Sequence, residues 1–458
     1  LVAIGAISAS VPFAAAFTRR QFDIFEPVYL FSFSYAVLFV FRPIFDLSSP
    51  DGPPPVLGYS VKATYALALA IGLAGLWAFY LGYSGRIGFR LSQRFPVPGN
   101  AWAGSTLAVI IVVAFLVSLA LYALFVISSG GVSVFSSILS GRNPVSQAAL
   151  IGGSGYLYTA PLWLTGLGVL ILARARSWWS PSGWAGFGLL TYSQLTNVAL
   201  GDRAYVLPAL AALCLLWYMR RTRRPSLLEV TVGLMIIFLV AVVAPRQYRQ
   251  TLDRNQGFAQ TVVNDLTHPL DAFSEFFQNP DTLMASDLAV ELQFVPDTIH
   301  YQLGATYLEA AGRPIPRAIW PGKPANADTQ LMKVIWPEWD ALGVGFSFSI
   351  FGEPYLNLGL AGVFIFSFLF GAASKGLFQW FAANSRNHTV MTLYALSWPF
   401  ILVYMRGGVG EDYHRQLIFV VPVLIAWIMA QNHTQRAGTS TSRPISPLIP
   451  AHSGECGS

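Results

Sequence analysis

The chain has 458 residues, of which 54% are hydrophobic and 11% charged, and its formal net charge is +6. Soluble domains carry roughly 25% charged residues, so a set of soluble domains is excluded, and with it a nucleic-acid reading of the positive balance. Cys214 lies in an apolar stretch and Cys456 in a polar tail, which argues against a disulfide between them, and no Cys/His spacing suggests a zinc site.

The apolar residues fall in blocks near the roughly 20 residues a helix needs to cross ~30 Å of hydrocarbon. Lipid offers the backbone no hydrogen-bond partners, so such blocks must be helices. In chain order the predicted spans are 1–17, 27–46, 63–83, 104–127, 155–173, 183–200, 204–219, 228–244, 354–381, 389–405 and 416–430. The stretch 1–17 has no preceding basic segment and reads as a membrane helix rather than a signal peptide. The span 183–200 is the least apolar, carrying Gln194 and Asn197. The fold class is therefore an all-α polytopic membrane protein of about 11 transmembrane helices, or about 12 if one is missing ahead of Leu1.

Basic residues mark alternate loops: Arg19 and Arg20, then Arg86, Arg90 and Arg94, then Arg174 and Arg176, then Arg220, Arg221, Arg223 and Arg224, then Lys375 and Arg386, then Arg436 and Arg443. By the positive-inside rule that side is the cytoplasm. Four regions follow. Residues 1–244 form an N-terminal bundle of about eight spans and 354–430 a C-terminal set of about three. Between them, 245–353 is an external loop too long to be a connector, with amphipathic stretches at 282–292 and 300–311 that predict short helices lying on the membrane surface. Residues 431–458, rich in Ser, Thr, Pro and Gly, read as a disordered cytoplasmic tail. There is no internal repeat, which weakens a transporter built from inverted halves.

Ionisable residues near membrane depth are expensive and tend to be functional. Four clusters fall on the external side. Gly201-Asp202-Arg203 is a tight turn; it is either an ordinary loop charge pair or a place where Arg203 meets an anionic ligand. Arg313-Pro314-Ile315-Pro316-Arg317-Ala318-Ile319-Trp320-Pro321-Gly322-Lys323-Pro324 holds three cations on a proline-stiffened backbone. Its arginines could bind phosphate in a fork and Lys323 as a point charge, while Trp320 offers a flat face to a sugar or headgroup; the bland alternative is an interfacial anchor. In Phe346 to Gly359 the lone carboxylate Glu353 enters an apolar stretch. Burial would suit it to proton transfer, whereas the bland reading is a helix N-terminal acid favoured by the macrodipole. Arg406-Gly407-Gly408-Val409-Gly410-Glu411-Asp412-Tyr413-His414-Arg415 mixes cations, carboxylates and a histidine, with glycines that permit close backbone approach; it could equally be a solvated loop. His300 is a lone histidine, as well placed for a bland interfacial role as for catalysis. An external pocket lined by Arg and Lys with one or two carboxylates suits a lipid-linked diphosphate.

At these residues the sequence resembles the Wzy-type polymerases of bacterial surface polysaccharide, which join O-antigen or oligosaccharide repeat units. The likeness is carried by Gly201-Asp202-Arg203 before an apolar span, by Pro316 to Pro324, by Gly352-Glu353-Pro354-Tyr355-Leu356-Asn357-Leu358-Gly359, and more weakly by Phe22-Asp23-Ile24-Phe25-Glu26-Pro27. The resemblance implies a membrane glycosyltransferase, with a GT-C-like architecture as one option. It would transfer a growing glycan from undecaprenyl diphosphate onto a new lipid-linked repeat unit at the external face of the bacterial inner membrane. It implies no nucleotide, metal or other cofactor, and no nucleic acid; the partners would be undecaprenyl-diphosphate-linked oligosaccharide, the bilayer and a chain-length regulator protein. On that reading Arg203, Arg317, Lys323 and Arg406 would contact the diphosphate, with Arg313 and Arg415 behind them. Trp320 and Tyr355 would contact sugar or lipid. Glu353 would be the base, with His300, Asp412 and His414 as alternates. An O-antigen ligase, a flippase or exporter of lipid-linked saccharide, and a structural subunit of a secretion complex are the competing readings.

Overall fold

The computed structural model describes residues 1–19, 22–99, 104–128, 155–200, 203–221, 282–315, 319–341 and 347–440, with isolated positions at 131, 132, 229, 267, 268, 271, 277, 317 and 345. Among them, regular structure is helical throughout. Seven helices are long and apolar enough to cross a membrane: α1 (Val2–Arg19), α2 (Pro27–Ser48), α3 (Tyr65–Ser84), then, beyond the short α4 (Arg86–Ser92), α5 (Ser105–Ser128), and the spans introduced below as α12, α13 and α14. The apolar α6 (Ala160–Arg174) and α8 (Arg203–Met219) are shorter, and α7 (Pro181–Leu200), the weakest predicted span, lies between them. The predicted span 228–244 lies outside the described residues.

Short helices precede the last spans, among them α9 (Met284–Phe294), α10 (Ala305–Gly312) and α11 (Ala327–Ile335). The first two are the helices expected at 282–292 and 300–311, but α9 is not laid on a surface. Its residues from Met284 to Glu291 are all buried, and it packs on α3 and on α12 (Ser349–Ala383). Amphipathic spacing reports that a helix has two unlike faces; it does not report which of them meets water. Here the face bearing Asp287 and Glu291 turns inward, toward other polar groups.

The core of the bundle is the crossing of α3 with α12. Glycines let the two backbones approach, as small residues do in membrane helix pairs. A Cβ on Gly82 would lie 1.9 Å from the Phe368 carbonyl oxygen, and one on Gly371 would lie 2.2 Å from that of Phe79. Aromatic rings from α2 fill the space beside this crossing. Phe31 stacks on Phe79 at 3.7 Å, and Phe39 meets Phe351 edge-on at 5.2 Å. At one end of the bundle Lys375 pairs with Glu26 at 2.9 Å and Tyr83 donates to the same carboxylate. The polar groups described next gather at the other end.

The 35-residue α12 exceeds what a membrane crossing needs, and it is not continuous. Leu358 (φ −140°, ψ 18°) and Gly359 (φ 61°, ψ −147°) leave the helical region. A break in lipid would strand backbone carbonyls, and here a loop satisfies them: Gln302 N–H donates to the Leu356 carbonyl (3.0 Å) and Leu303 N–H to that of Asn357 (3.1 Å). Gly359 is required twice over, for its backbone angles and because a Cβ there would meet the Tyr301 hydroxyl at 2.8 Å. Gly359→Ala should therefore cost about 1–3 kcal/mol, read as a lowered midpoint of thermal unfolding in detergent; an unchanged midpoint would show that the break is not imposed by this residue.

Candidate functional site

The break in α12 places Glu353 one turn ahead of it, on the half-helix of residues 349–357. Glu353 is 2% exposed. Its Oε2 accepts from the Gly410 N–H (2.8 Å) and its Oε1 from the Thr306 hydroxyl (3.2 Å). Asn357 ties the arrangement together, donating to the Thr306 hydroxyl oxygen (2.7 Å) and the Glu353 carbonyl (2.8 Å) while accepting from the Gly304 N–H (2.9 Å). Gly410 lies in the first turn of α14 (Val409–Ser440), where backbone N–H groups and the helix dipole favour a negative charge. The bland reading of Glu353 thus had the right physics and the wrong helix: the carboxylate sits at the N-terminus of α14, not of its own helix.

The glycines of Gly407-Gly408-Val409-Gly410 serve this contact. They join α13 (His388–Gly407) to α14, with Gly408 at φ +85°. A Cβ on Gly410 would be 1.9 Å from Glu353 Oε1, and one on Gly407 would be 1.8 Å from Asp412 Oδ2. The close approach expected for a ligand is made by side chains of the chain itself.

Two carboxylates that sequence reading passed over lie beside Glu353. Burial pushes the Glu291 carboxyl well above the usual range, the charges of Glu353 and Asp287 push it further, and the Leu356 N–H eases it back. Asp287 is raised by burial and eased by Arg406 and then Arg42. Arg42 lies near the end of α2, immediately after a π-helical stretch at Val37–Phe41, a kind of distortion frequent at functional sites. Its Nε meets Asp46 Oδ1 at 2.8 Å, and its Nη1 donates to the Thr282 hydroxyl oxygen (3.0 Å) and the Phe277 carbonyl. The Tyr65 hydroxyl donates to Asp46 Oδ2 at 2.7 Å.

Cations and the imidazole flank the carboxylates. Arg313 spans from Glu309 Oε2 (2.7 Å) to His414 Nδ1 (2.8 Å). Lys323 is buried, donates to the Ile315 carbonyl at 3.1 Å and lies 4.0 Å from Glu309. Arg415 pairs with Asp412 at 3.2 Å and lies over the Tyr205 ring at 5.4 Å, which brings the start of α8 to the same place. Tyr413 donates to the Ala310 carbonyl, fastening α14 to α10.

Of the residues expected to act, Glu353, Asp412, His414, Arg313, Lys323, Arg406 and Arg415 are brought to one end of the bundle. Others stand apart. Both arms of the exposed Arg317 are taken by its own loop, at the carbonyls of Lys323 (2.7 Å) and Pro324 (2.9 Å). His300 is exposed, its carbonyl accepting from Gln302. Trp320 is half-buried against Gly312, where a Cβ would meet its ring at 2.6 Å. Tyr355 pairs edge-on with Tyr301 at 6.2 Å. The Arg203 side chain and Asp202 lie outside the described residues, although the Arg203 backbone opens α8. Arg42, Asp46, Asp287, Glu291, Thr306, Glu309 and Asn357 are the additions. Their signal was present: Arg42 and Asp46, and Asp287 and Glu291, are i,i+4 pairs in otherwise apolar helices, a spacing that sets both charges on one face.

This is a polytopic helical membrane protein whose buried charges collect at one end of its bundle. No protein-family model, curated protein or solved structure matches the chain.

Proposed function

We propose that the protein is a membrane glycosyltransferase that polymerises lipid-linked repeat units of a bacterial surface polysaccharide. The supporting observation is that Arg313 and Lys323 (on Glu309), Arg415 (on Asp412) and Arg406 (near Asp287) gather at the same end of the spans as the buried Glu353. On the positive-inside reading of the basic loops, that end would face the external side of the inner membrane, with the C-terminus inside. In the reaction the acceptor hydroxyl oxygen bonds to the anomeric carbon of the growing glycan. The bond from that carbon to undecaprenyl diphosphate breaks, and its electron pair leaves with the diphosphate. Glu353 takes the acceptor's proton, and the cations stabilise the departing charge in a site screened from water. The sugar–lipid contact falls to the apolar and aromatic surface near Tyr301, Tyr355 and Trp320. A flippase would need ionisable groups along a path from both sides, and the polar groups described here favour work from one face.

The test uses the full-length protein in nanodiscs with synthetic undecaprenyl-diphosphate repeat units, products being resolved as a ladder on a gel. Wild type should extend the ladder without nucleotide sugar. Arg313→Ala and Arg406→Ala should slow extension about 10²–10³-fold, the scale of losing one electrostatic donor, whereas Arg317→Gln, removing only a loop brace, should slow it less than about tenfold. No ladder from wild type, or equal rates across the three variants, would refute the proposal. In cells, gene deletion leaving single repeat units on the lipid core supports a polymerase. Loss of all attached glycan would mean a ligase, and carrier-linked units trapped inside a flippase.

A further inference from the structure

Beside the proposed base, two buried carboxyl groups are treated very differently by the fold. Each oxygen of Glu353 has a donor, Gly410 N–H on one and the Thr306 hydroxyl on the other. Both oxygens of Glu291 are buried and make no hydrogen bond of good geometry, the Leu356 N–H lending only a weak electrostatic pull, and the residue is 0% exposed. An ionised carboxylate in such a place bears the full cost of desolvation, and the group takes a proton instead. The Glu291 side chain points at the break-bearing half of α12: a Cβ on Gly352, the residue before Glu353, would lie 2.6 Å from Glu291 Oε2. The Tyr307 hydroxyl, from α10, is likewise buried without a partner and feels the charges of both Glu353 and Glu291.

We propose that Glu291 and Glu353 form a carboxyl pair that binds a single proton, with Glu291 as the neutral, protonated member and Glu353 as the charged one. The charged and titratable groups facing the pair are Asp287 from the same helix, Tyr307 from α10, Tyr355 from α12, and, through Asp287, Arg42 from α2 and Arg406 from α13. The neutral Glu291 spares Glu353 a second adjacent charge, and Glu353 in turn holds the proton on Glu291 by like-charge repulsion. Glu291 is thus a positioning residue for the proposed base, and that role rests on the function proposed above; the protonation itself does not.

The sign of the linked stability follows. A carboxyl whose pKa is raised on folding binds more protons folded than unfolded. Its contribution is full at low pH and declines as pH rises from the unfolded carboxylate range toward the folded value. The experiment is an infrared pH titration of the full-length protein in nanodiscs, without substrate, following the carbonyl stretch of protonated carboxylic acids. Wild type should show a buried-acid band at neutral pH. Glu291→Gln should abolish it and flatten the decline of stability with pH. Glu353→Gln should keep the band but move its loss to lower pH, the repelling charge having gone. Absence of the band in wild type overturns the proposal. So does its survival in Glu291→Gln together with loss in Asp287→Asn, and so does a titration that Glu353→Gln leaves unmoved. Because no turnover is read, failure of the ladder assay and failure of this one are distinguishable.

Discussion

Glu353→Gln is expected to lower the rate of glycan extension about 10²–10⁴-fold, the usual weight of a general base, with little change in folding. Glutamine keeps the side-chain shape, and its amide oxygen can still accept from Gly410 N–H or from Thr306. What it loses is the basic carboxylate. Gly410→Ala makes the complementary change. It leaves the carboxylate chemically intact but introduces a methyl 1.9 Å from Oε1, so Glu353 must move or the turn must open. Both variants should be slow, and only Gly410→Ala should also unfold earlier, by about 1–3 kcal/mol for an overpacked site. The ladder assay and a thermal melt on the same preparations check both halves. If Glu353→Gln extends glycans at the wild-type rate, another group takes the acceptor's proton, and His414, held by Arg313, is next in line.

The second large effect concerns stability. Arg42→Met should destabilise the protein by about 3–5 kcal/mol, because it strands the Asp46 carboxylate in a site that stays buried. Arg42 and Asp46 are 3% and 4% exposed, so screening by water does little to soften the loss. The double variant Arg42→Met, Asp46→Leu removes both charges and should recover most of the deficit, since a buried pair replaced whole by apolar groups is often neutral. Tyr65 and Thr282 would then lose a partner each, which bounds the recovery. Thermal or denaturant unfolding of wild type, single and double variants in one detergent gives the comparison; a single variant as stable as wild type would mean that the pair has water access or alternative partners.

The parts of this architecture legible in the sequence were those that break an apolar pattern. Glu353 stood out because nothing else near it is charged, and Arg406 to Arg415 because so many charges crowd a short turn. Lys375, read as a side marker, also pairs with Glu26 at 2.9 Å, a contact that no loop charge predicts. What sequence did not disclose was partnership. Arg317 and Arg313 look equivalent in a proline-rich stretch, yet one closes its own loop and the other crosses to His414. Asp287 and Glu291 lie in a stretch read only as a surface helix, and burying two acids four residues apart is costly. The fold meets that cost through Arg406 and Arg42 at Asp287, and at Glu291 through its raised proton affinity. Such compensation is spread over helices far apart in sequence, and no local spacing records it.

The interruption in α12 also constrains which length changes the segment before it can absorb. The carbonyls of Leu356 and Asn357 are matched one-to-one by the amides of Gln302 and Leu303, so these strands of backbone are locked in register. A single-residue insertion between Asp297 and Gln302 would slide that match by one place and leave acceptors inside the membrane boundary unsatisfied. Insertion scanning across this segment would accordingly show a narrow intolerant window, set not by any side chain but by two peptide groups.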